Sequence, residues 1–253
     1  MDILKETKLI GNYIISLRKD FHKNPELSME EHRTSKRIKE ELDKIGVKYE
    51  DGIKTEVVAT IGKGKGRVIA LRADMDALKI QENTDVRYAS TNKGVMHACG
   101  HDAHMASLLG AAMILKKYED SIPGKIILVF QPAEENASGA KLISEHGYLD
   151  DVDEIFGLHV FGDIECGKIS IEEGPRMAAS NKFTIKITGK SGHAGKPHQC
   201  VDATLACAAI VMNLQSIISR EIDPVNSAVV TVGHIQSGKT YNNLSWNTIL
   251  IFF

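Results

Sequence analysis

The sequence predicts an α/β protein in which helices cover a mostly parallel sheet. Short apolar segments alternate with longer segments that have helical periodicity. Polar and titratable side chains collect directly after several apolar segments, where α/β folds place their sites. After residue 178 the pattern changes to strand, helix and strand, which is typical of a small α+β domain. We therefore expect a first domain, with the candidate site, at residues 1–178 and a second domain at residues 179–253.

Composition narrows the class of protein. The chain has 253 residues, of which 43% are hydrophobic and 25% are charged, so it can bury a core. Its net charge of −2 favours neither nucleic acid nor an anionic membrane as a partner. No apolar run reaches the ~18 residues of a membrane span, and the N-terminus lacks the pattern of a signal peptide. The four cysteines show no disulfide-like spacing, so we expect reduced thiols and a cytoplasmic protein.

The first elements have clear boundary signals. Apolar residues at helical spacing predict a helix over residues 4–21, and Asn24-Pro25 ends it. Ser28 and Glu31 have the spacing of a capping box, which predicts a second helix that ends at Gly46.

Two strands are predicted at residues 56–61 and 67–71, joined by a glycine-rich segment. No helix follows these glycines, so the segment is interpreted as a hairpin turn and not as a phosphate-binding loop. Asp74 and Asp76 come directly after the second strand.

The remaining elements alternate in type. Helices are predicted at residues 106–118, 138–146 and 201–218, and strands at residues 125–130, 154–160, 181–188 and 228–234.

The densest group of metal-ligand residue types lies at residues 96–104. It contains Cys99 and His101, which suit borderline-soft metals, although a single Cys or His more often only packs in a core. Glu134 and Glu135 follow an apolar strand, and two adjacent carboxylates there are costly to desolvate unless a cation is near. Adjacent side chains of an extended chain point in opposite directions, so one glutamate would bind metal and the other would act as general base. His159 stands near the end of the next strand.

Several other side chains are open between two interpretations. His97 and His104 are either solvated or capping residues, which their spacing favours, or metal ligands. Asp74 and Asp76 are either turn carboxylates or partners that orient a ligand imidazole. His193 is either a surface residue or a hydrogen-bond donor to a substrate carbonyl. The other cysteines are interpreted as structural thiols: Cys166, Cys200 and Cys207.

Taken together, these motifs resemble the metal-dependent amidohydrolases and carboxypeptidases related to aminoacylase, hippurate hydrolase and auxin-conjugate hydrolases. The resemblance includes His-Ala-Cys-Gly-His-Asp at residues 97–102 and Gln-Pro-Ala-Glu-Glu at residues 131–135. Further matching segments, in the same order as in the family, are residues 21–28, 71–78, 157–160, 191–194, 214–215 and 219–221.

The resemblance implies a hydrolase of N-acyl amino acids with two divalent ions, usually zinc, manganese, nickel or cobalt. It implies Glu134 as general base and Asp76 as a residue that orients a ligand. His193 would reach the substrate carbonyl from a ferredoxin-like lid, typically across a dimer interface. The implied metal ligands are Cys99, His101, Glu135 and His159.

The chain departs from the family pattern from Asn243 onwards. Family members continue through the lid and return to the catalytic domain, where a further histidine ligand is supplied. We therefore expect an aberrant tail from residue 243, a lid with only strand, helix and strand, and an open sheet edge. Two alternatives follow for this chain: an inactive truncated or frameshifted fragment, or a dimerisation module that pairs with a full-length relative.

Overall fold

The computed structural model describes residues 2–174, 177–240, 243–244 and 247–252. The chain divides into two compact units, Met1–Ser170 and Ile171–Phe253. Each unit has its own sheet, and the roles of catalytic domain and lid assigned to them stay predictions.

The first unit consists of a five-stranded sheet and four helices. The strands are β1 (Lys48–Asp51), β2 (Val57–Ile61), β3 (Val68–Asp74), β4 (Lys125–Gln131) and β5 (Glu154–Gly157). The helices are α1 (Ile3–Lys23), α2 (His32–Ile45), α3 (His101–Lys117) and α4 (Gly139–Glu145), with a short 3-10 turn at Glu119–Ser121.

The sheet is mixed, so the prediction of a mostly parallel sheet is wrong. The strand order is β1-β2-β4-β3-β5, in which β1, β2 and β4 pair antiparallel. Among the described strands of this sheet, only the β4–β3 and β3–β5 pairs are parallel. Apolar periodicity identifies a strand but contains no information about the direction of its partner.

The predicted hairpin between β2 and β3 is also wrong, because β4 lies between these two strands. The glycine segment that joins them packs against the chain leading into β4. The N–H groups of Gly64 and Gly66 donate to the carbonyls of Gly124 and Pro123 at 3.2 and 3.0 Å. A Cβ on Gly64 would lie 1.9 Å from the Pro123 carbonyl oxygen, so the glycines allow a close backbone approach.

The main core lies between one face of the sheet and helices α1, α2 and α3. Phe21 from α1, Met105 from α3 and Phe130 from β4 are fully buried there. The opposite face has a smaller cluster in which Val129 of β4 packs near Ile143 of α4. Successive side chains of β4 therefore pack alternately into the main core and into the smaller cluster on the opposite face.

Helix α2 begins later than the sequence predicts. Its first residue is His32 and its N-cap is Glu31, whose side chain makes no capping bond, so the predicted capping box is wrong. The carboxylate of Glu26 caps the first turn instead, accepting from the N–H groups of Arg33 and Thr34 at 3.0 and 2.7 Å. The side chains of Ser28 and Glu31 bind elsewhere, as described below. The predicted end is confirmed: Gly46 is left-handed, with φ of 68°.

The second unit contains β6 (Phe183–Thr188), α5 (Ala203–Ser216), β7 (Val232–Ser237) and β8 (Asn247–Phe252). A 3-10 turn lies at Pro197–Gln199, and one π-helical turn, Ile217–Glu221, follows α5. Strand β8 pairs antiparallel with both β6 and β7, in the order β6-β8-β7. The expectation of only strand, helix and strand in this unit is therefore wrong, because residues 247–252 supply a third, central strand. On β6, Ile185 and Ile187 share the face that packs near Cys207 of α5, as their alternation predicts.

One helical stretch, Ala203–Glu221, is long and apolar enough for a membrane span by length and composition. From the sequence, a helix is predicted here over residues 201–218 but not a membrane span. A single helix of this kind is weak evidence, since core helices pass the same test. The cytoplasmic location stays a prediction.

Candidate metal centre

Three parallel strands bring the candidate residues to one edge of the sheet. Because β4, β3 and β5 are neighbours and run in the same direction, their carboxyl ends meet. Asp74 ends β3 and Asp76 follows it, the Glu134–Glu135 pair follows β4, and His159 follows β5.

The N-terminus of α3 supplies two more candidates, Cys99 and His101, on either side of Gly100. Gly100 is the N-cap of the helix and is left-handed, with φ of 92°. A Cβ at this position would lie 2.4 Å from Cγ2 of Val160, so only glycine fits both the backbone and the space. The segment around His159 consequently packs directly against the start of α3.

These side chains form overlapping groups with the geometry of a metal site. Cys99, His101 and His159 form one group and His101, Glu134 and Glu135 another, and in each group the donor atoms lie within 4.8 Å of one another. His101 Nε2 is 3.8 Å from Glu135 Oε1 and 4.0 Å from Glu134 Oε2. Cys99 Sγ is 3.3 Å from His159 Nε2.

Two buried atoms of this cluster have no hydrogen-bond partner among the described residues: His101 Nε2 and Glu135 Oε1. An unpaired buried nitrogen and an unpaired buried carboxylate oxygen are both costly. A divalent cation between them would satisfy both, so the residues present fit a metal ion.

Asp76 forms hydrogen bonds with three of the candidate site residues, His101, Glu134 and Glu135. Its backbone carbonyl lies 2.8 Å from His101 Nδ1, which leaves Nε2 as the free coordinating nitrogen. Its carboxylate accepts from the N–H groups of Glu134 and Glu135 at 2.9 and 3.0 Å. The hydroxyl of Ser28 donates to the same carboxylate at 2.6 Å. The orienting role assigned to Asp76 stays a prediction, and these contacts are the geometry it requires.

The two glutamates lie in a turn and not on an extended strand, so the argument from alternating side chains does not apply. The N–H of Ala137 donates to the carbonyl of Glu134 at 2.8 Å. Ala133 has a left-handed backbone, with φ of 49°, and its N–H donates to Glu31 Oε1 at 2.8 Å. Both carboxylates nevertheless lie within 4.0 Å of His101 Nε2.

Glu31 was missed as a site residue because its spacing matched a helix cap. It is fully buried, and its second oxygen accepts from the Thr55 hydroxyl at 2.6 Å. Burial raises the pKa of this carboxyl above its usual value. Its function is to hold the turn that carries the glutamate pair.

The electrostatics of the cluster favour a cation. Burial, and then the nearby charge of Glu135, raises the pKa of the Cys99 thiol to about 12. Burial also raises the pKa of Glu135. Binding of a divalent ion would reverse these shifts, so that metal uptake releases protons.

A third group, Asp74, His101 and His104, is less suited to metal. His104 Nδ1 lies 2.6 Å from Asp74 Oδ1, and its Nε2 accepts from the N–H of Val160 at 2.9 Å. Both ring nitrogens of His104 are therefore occupied. The interpretation of His104 as solvated or capping is wrong, because its side chain is buried inside the cluster.

His97 is also buried, contrary to the solvated or capping interpretation. Burial lowers its pKa to about 4, and neither ring nitrogen has a partner among the described residues. It borders a cavity of about 410 Å³ beside Cys99, with Arg18, His22 and Phe161 among the lining residues.

His193 lies in the second unit, in the loop after β6. Its side chain is exposed, and its Nδ1 accepts from the N–H of Gly195 at 2.9 Å. Its contact with substrate stays a prediction.

Comparison with known proteins identifies the family of this chain. Residues 70–239 match the family described as Peptidase family M20/M25/M40. The chain belongs to this family. The predicted resemblance to metal-dependent amidohydrolases and carboxypeptidases is thereby confirmed.

Among the relatives is the IAA-amino acid hydrolase ILR1-like 4 of Arabidopsis thaliana, 47% identical over 232 residues, which cover 91% of this chain and 53% of the relative. The N-acetyl-L-cysteine deacetylase of Bacillus subtilis is 47% identical over 231 residues, covering 90% and 56% of the two chains. The chain thus spans about half the length of the curated relatives it matches.

A solved structure supports the fold and the presence of metal in the family. The Bacillus subtilis YXEP protein, a dinuclear metal binding peptidase from the M20 family, superposes with a TM-score of 0.75 at 38% identity. The match covers 97% of this chain and 64% of that one.

Proposed function

We propose that this chain carries the catalytic half of a two-metal amidohydrolase that cleaves N-acyl amino acids to a carboxylate and a free amino acid. The observation that carries the proposal is the pair of buried, unpartnered atoms His101 Nε2 and Glu135 Oε1, 3.8 Å apart. Relatives with names that specify amidohydrolase and deacetylase activity support the substrate class.

The proposed ligands are Cys99, His101, Glu135 and His159. Divalent ions held there would polarise the scissile carbonyl and lower the pKa of a water molecule to near 7. Zinc, manganese, nickel and cobalt all suit a thiolate, imidazole and carboxylate set.

The two glutamates are assigned different roles by their burial. Glu135 Oε1 is buried without a partner, which suits a ligand. The side chain of Glu134 is 41% exposed and its Oε2 is 4.0 Å from His101 Nε2. Glu134 therefore faces the space in which water and substrate would meet. It would take the proton from the attacking water and deliver it to the leaving amide nitrogen.

The second unit is proposed to act as the lid and dimerisation domain. The exposed His193 would donate a hydrogen bond to the substrate carbonyl oxygen from this unit. The proposed partners are a small N-acyl amino acid and a second copy of the chain.

Activity is tested with the full chain loaded with zinc or manganese and supplied with N-acetyl and N-benzoyl amino acids. Metal-dependent release of the free amino acid is expected. A folded, metal-loaded chain without turnover contradicts the proposal and favours an inactive fragment. Activity that appears only with a full-length relative favours the dimerisation module.

Glu134→Gln tests the assignment of the base. Because the amide cannot take up the proton, turnover should fall by ~10²-fold or more, while metal stoichiometry, measured by atomic emission, stays unchanged. Glu145→Gln on α4 is the matched control and should retain activity, since Glu145 is exposed. Loss of metal from Glu134→Gln would show that Glu134 is a ligand and not the base.

A further inference from the structure

His104 lies beside the candidate metal ligands but is not one of the proposed ligands. It is 2% exposed and lies on α3 one turn after His101. Each of its ring nitrogens has a single partner, Asp74 on one side and the backbone of Val160 on the other.

The two partners fix the protonation of the ring. Nε2 accepts the Val160 N–H at 2.9 Å, so it carries no proton. The proton of the neutral ring is therefore on Nδ1, where it is donated to Asp74 Oδ1 at 2.6 Å.

Asp74 is itself held in place by Arg72, whose Nη1 donates to Asp74 Oδ2 at 2.8 Å. This contact and the hydrogen bond from His104 hold the Asp74 carboxylate as the acceptor that fixes the tautomer of His104.

Val160 directly follows His159, and this segment lies beyond the end of β5 at Gly157. Its backbone is therefore outside the sheet ladder. The hydrogen bond to His104 holds the peptide group between His159 and Val160, while the Val160 side chain packs over Gly100. The rings of His104 and His159 also contact edge to face, with centroids 4.8 Å apart.

We infer that His104 is a positioning residue that fixes the His159 segment against α3, so that His159 Nε2 faces Cys99. This inference rests on the proposed function for the role of His159 as a ligand. Helix α3 then orients two ligands: it carries His101 itself and holds His159 through His104.

Two variants of His104 distinguish loss of the hydrogen bond to the Val160 N–H from general destabilisation of the fold. Gln can place an amide oxygen near the position of Nε2, whereas Asn is too short to accept from Val160. In the metal-free chain, His104→Asn should make the Val160 amide exchange with solvent faster, as measured by NMR, while His104→Gln retains protection.

Cobalt binding measures the consequence for the metal site. His104→Asn should weaken Co²⁺ binding by ~10–100-fold, as is usual for loss of a group that orients a ligand. His104→Gln should remain close to the parent chain, and so should His146→Asn, which changes an exposed histidine at the C-cap of α4. In the double variant His104→Asn/His159→Ala, little further loss is expected beyond His159→Ala alone, because both act through one ligand.

Unchanged Val160 exchange and unchanged Co²⁺ affinity in a folded His104→Asn chain would overturn the inference. Additive losses in the double variant would do the same. If the parent chain binds no Co²⁺, the result contradicts the proposed two-metal function itself, and Val160 amide exchange still tests the role of His104. If His104→Asn does not fold, ¹⁵N NMR of the parent chain decides the matter, since a proton on Nε2 of His104 is incompatible with the bond from Val160.

Discussion

His22 illustrates how a residue that fits a sequence motif acquires a structural role through its partners. Its Nδ1 lies 2.9 Å from Asp102 Oδ2 and its Nε2 lies 3.2 Å from Glu82 Oε1. Arg18 donates from Nε to the same Asp102 oxygen at 2.8 Å. Contacts from both ring nitrogens to carboxylates favour the protonated imidazole. This network joins α1, the loop before the metal cluster and the first turn of α3.

The pKa of His22 is raised, first by the hydrogen bond to Asp102. A raised folded-state pKa means that the contribution to stability is fully present below the unfolded value of about 6.5 and is lost as pH rises through the folded value. The difference in free energy of unfolding between the parent chain and His22→Gln should therefore shrink as the pH rises above about 6.5. Urea unfolding followed by circular dichroism measures it.

The matched control for this pH dependence is His32→Gln, because His32 is exposed at the start of α2. The difference between this variant and the parent chain should change little with pH. A His22→Gln difference that grows with pH would show that His22 is neutral in the folded chain.

Helix α3 joins the core to the metal cluster. Its first turn carries His101 and His104, and the next residue, Met105, is fully buried among α1, α2 and the sheet. Displacement of the helix therefore changes both packing and ligand geometry.

Met105→Ala tests this helix. Removing the buried side chain leaves a cavity, and the free energy of unfolding should fall by ~2–5 kcal/mol in chemical denaturation. Leu9→Ala on α1 removes a side chain that is 70% exposed in the same unit. It should change stability by less than about 0.5 kcal/mol. Similar effects of the two substitutions would contradict the described packing of α3.

The sheet of the second unit depends on strand β8. Strand β8 pairs with both β6 and β7, and Oγ1 of the buried Thr248 lies 2.7 Å from Ser237 Oγ. Without β8, the two remaining strands have no partner in the described sheet.

Deletion of residues 247–252 should expose the second unit to proteases while leaving the first unit intact, because the two units have separate sheets. Limited proteolysis with mass spectrometry should find new cleavage sites within residues 177–240. Metal bound by the first unit serves as the internal control. Unchanged protease resistance would indicate that β8 adds no stability to the unit.

Periodicity and motifs are local properties, so they predict the approximate positions of most helices and strands, the cluster at residues 96–104 and the family. The tertiary structure adds the choice of partner for each segment. It placed β4 between β2 and β3, and it gave β8 a central position. It also showed that Ser28 and Glu31 do not cap a helix: Ser28 donates to the Asp76 carboxylate, and Glu31 accepts from the Ala133 N–H. A hydrogen-bonding side chain or a strand edge can be satisfied by many partners, and long-range packing selects the one that is used.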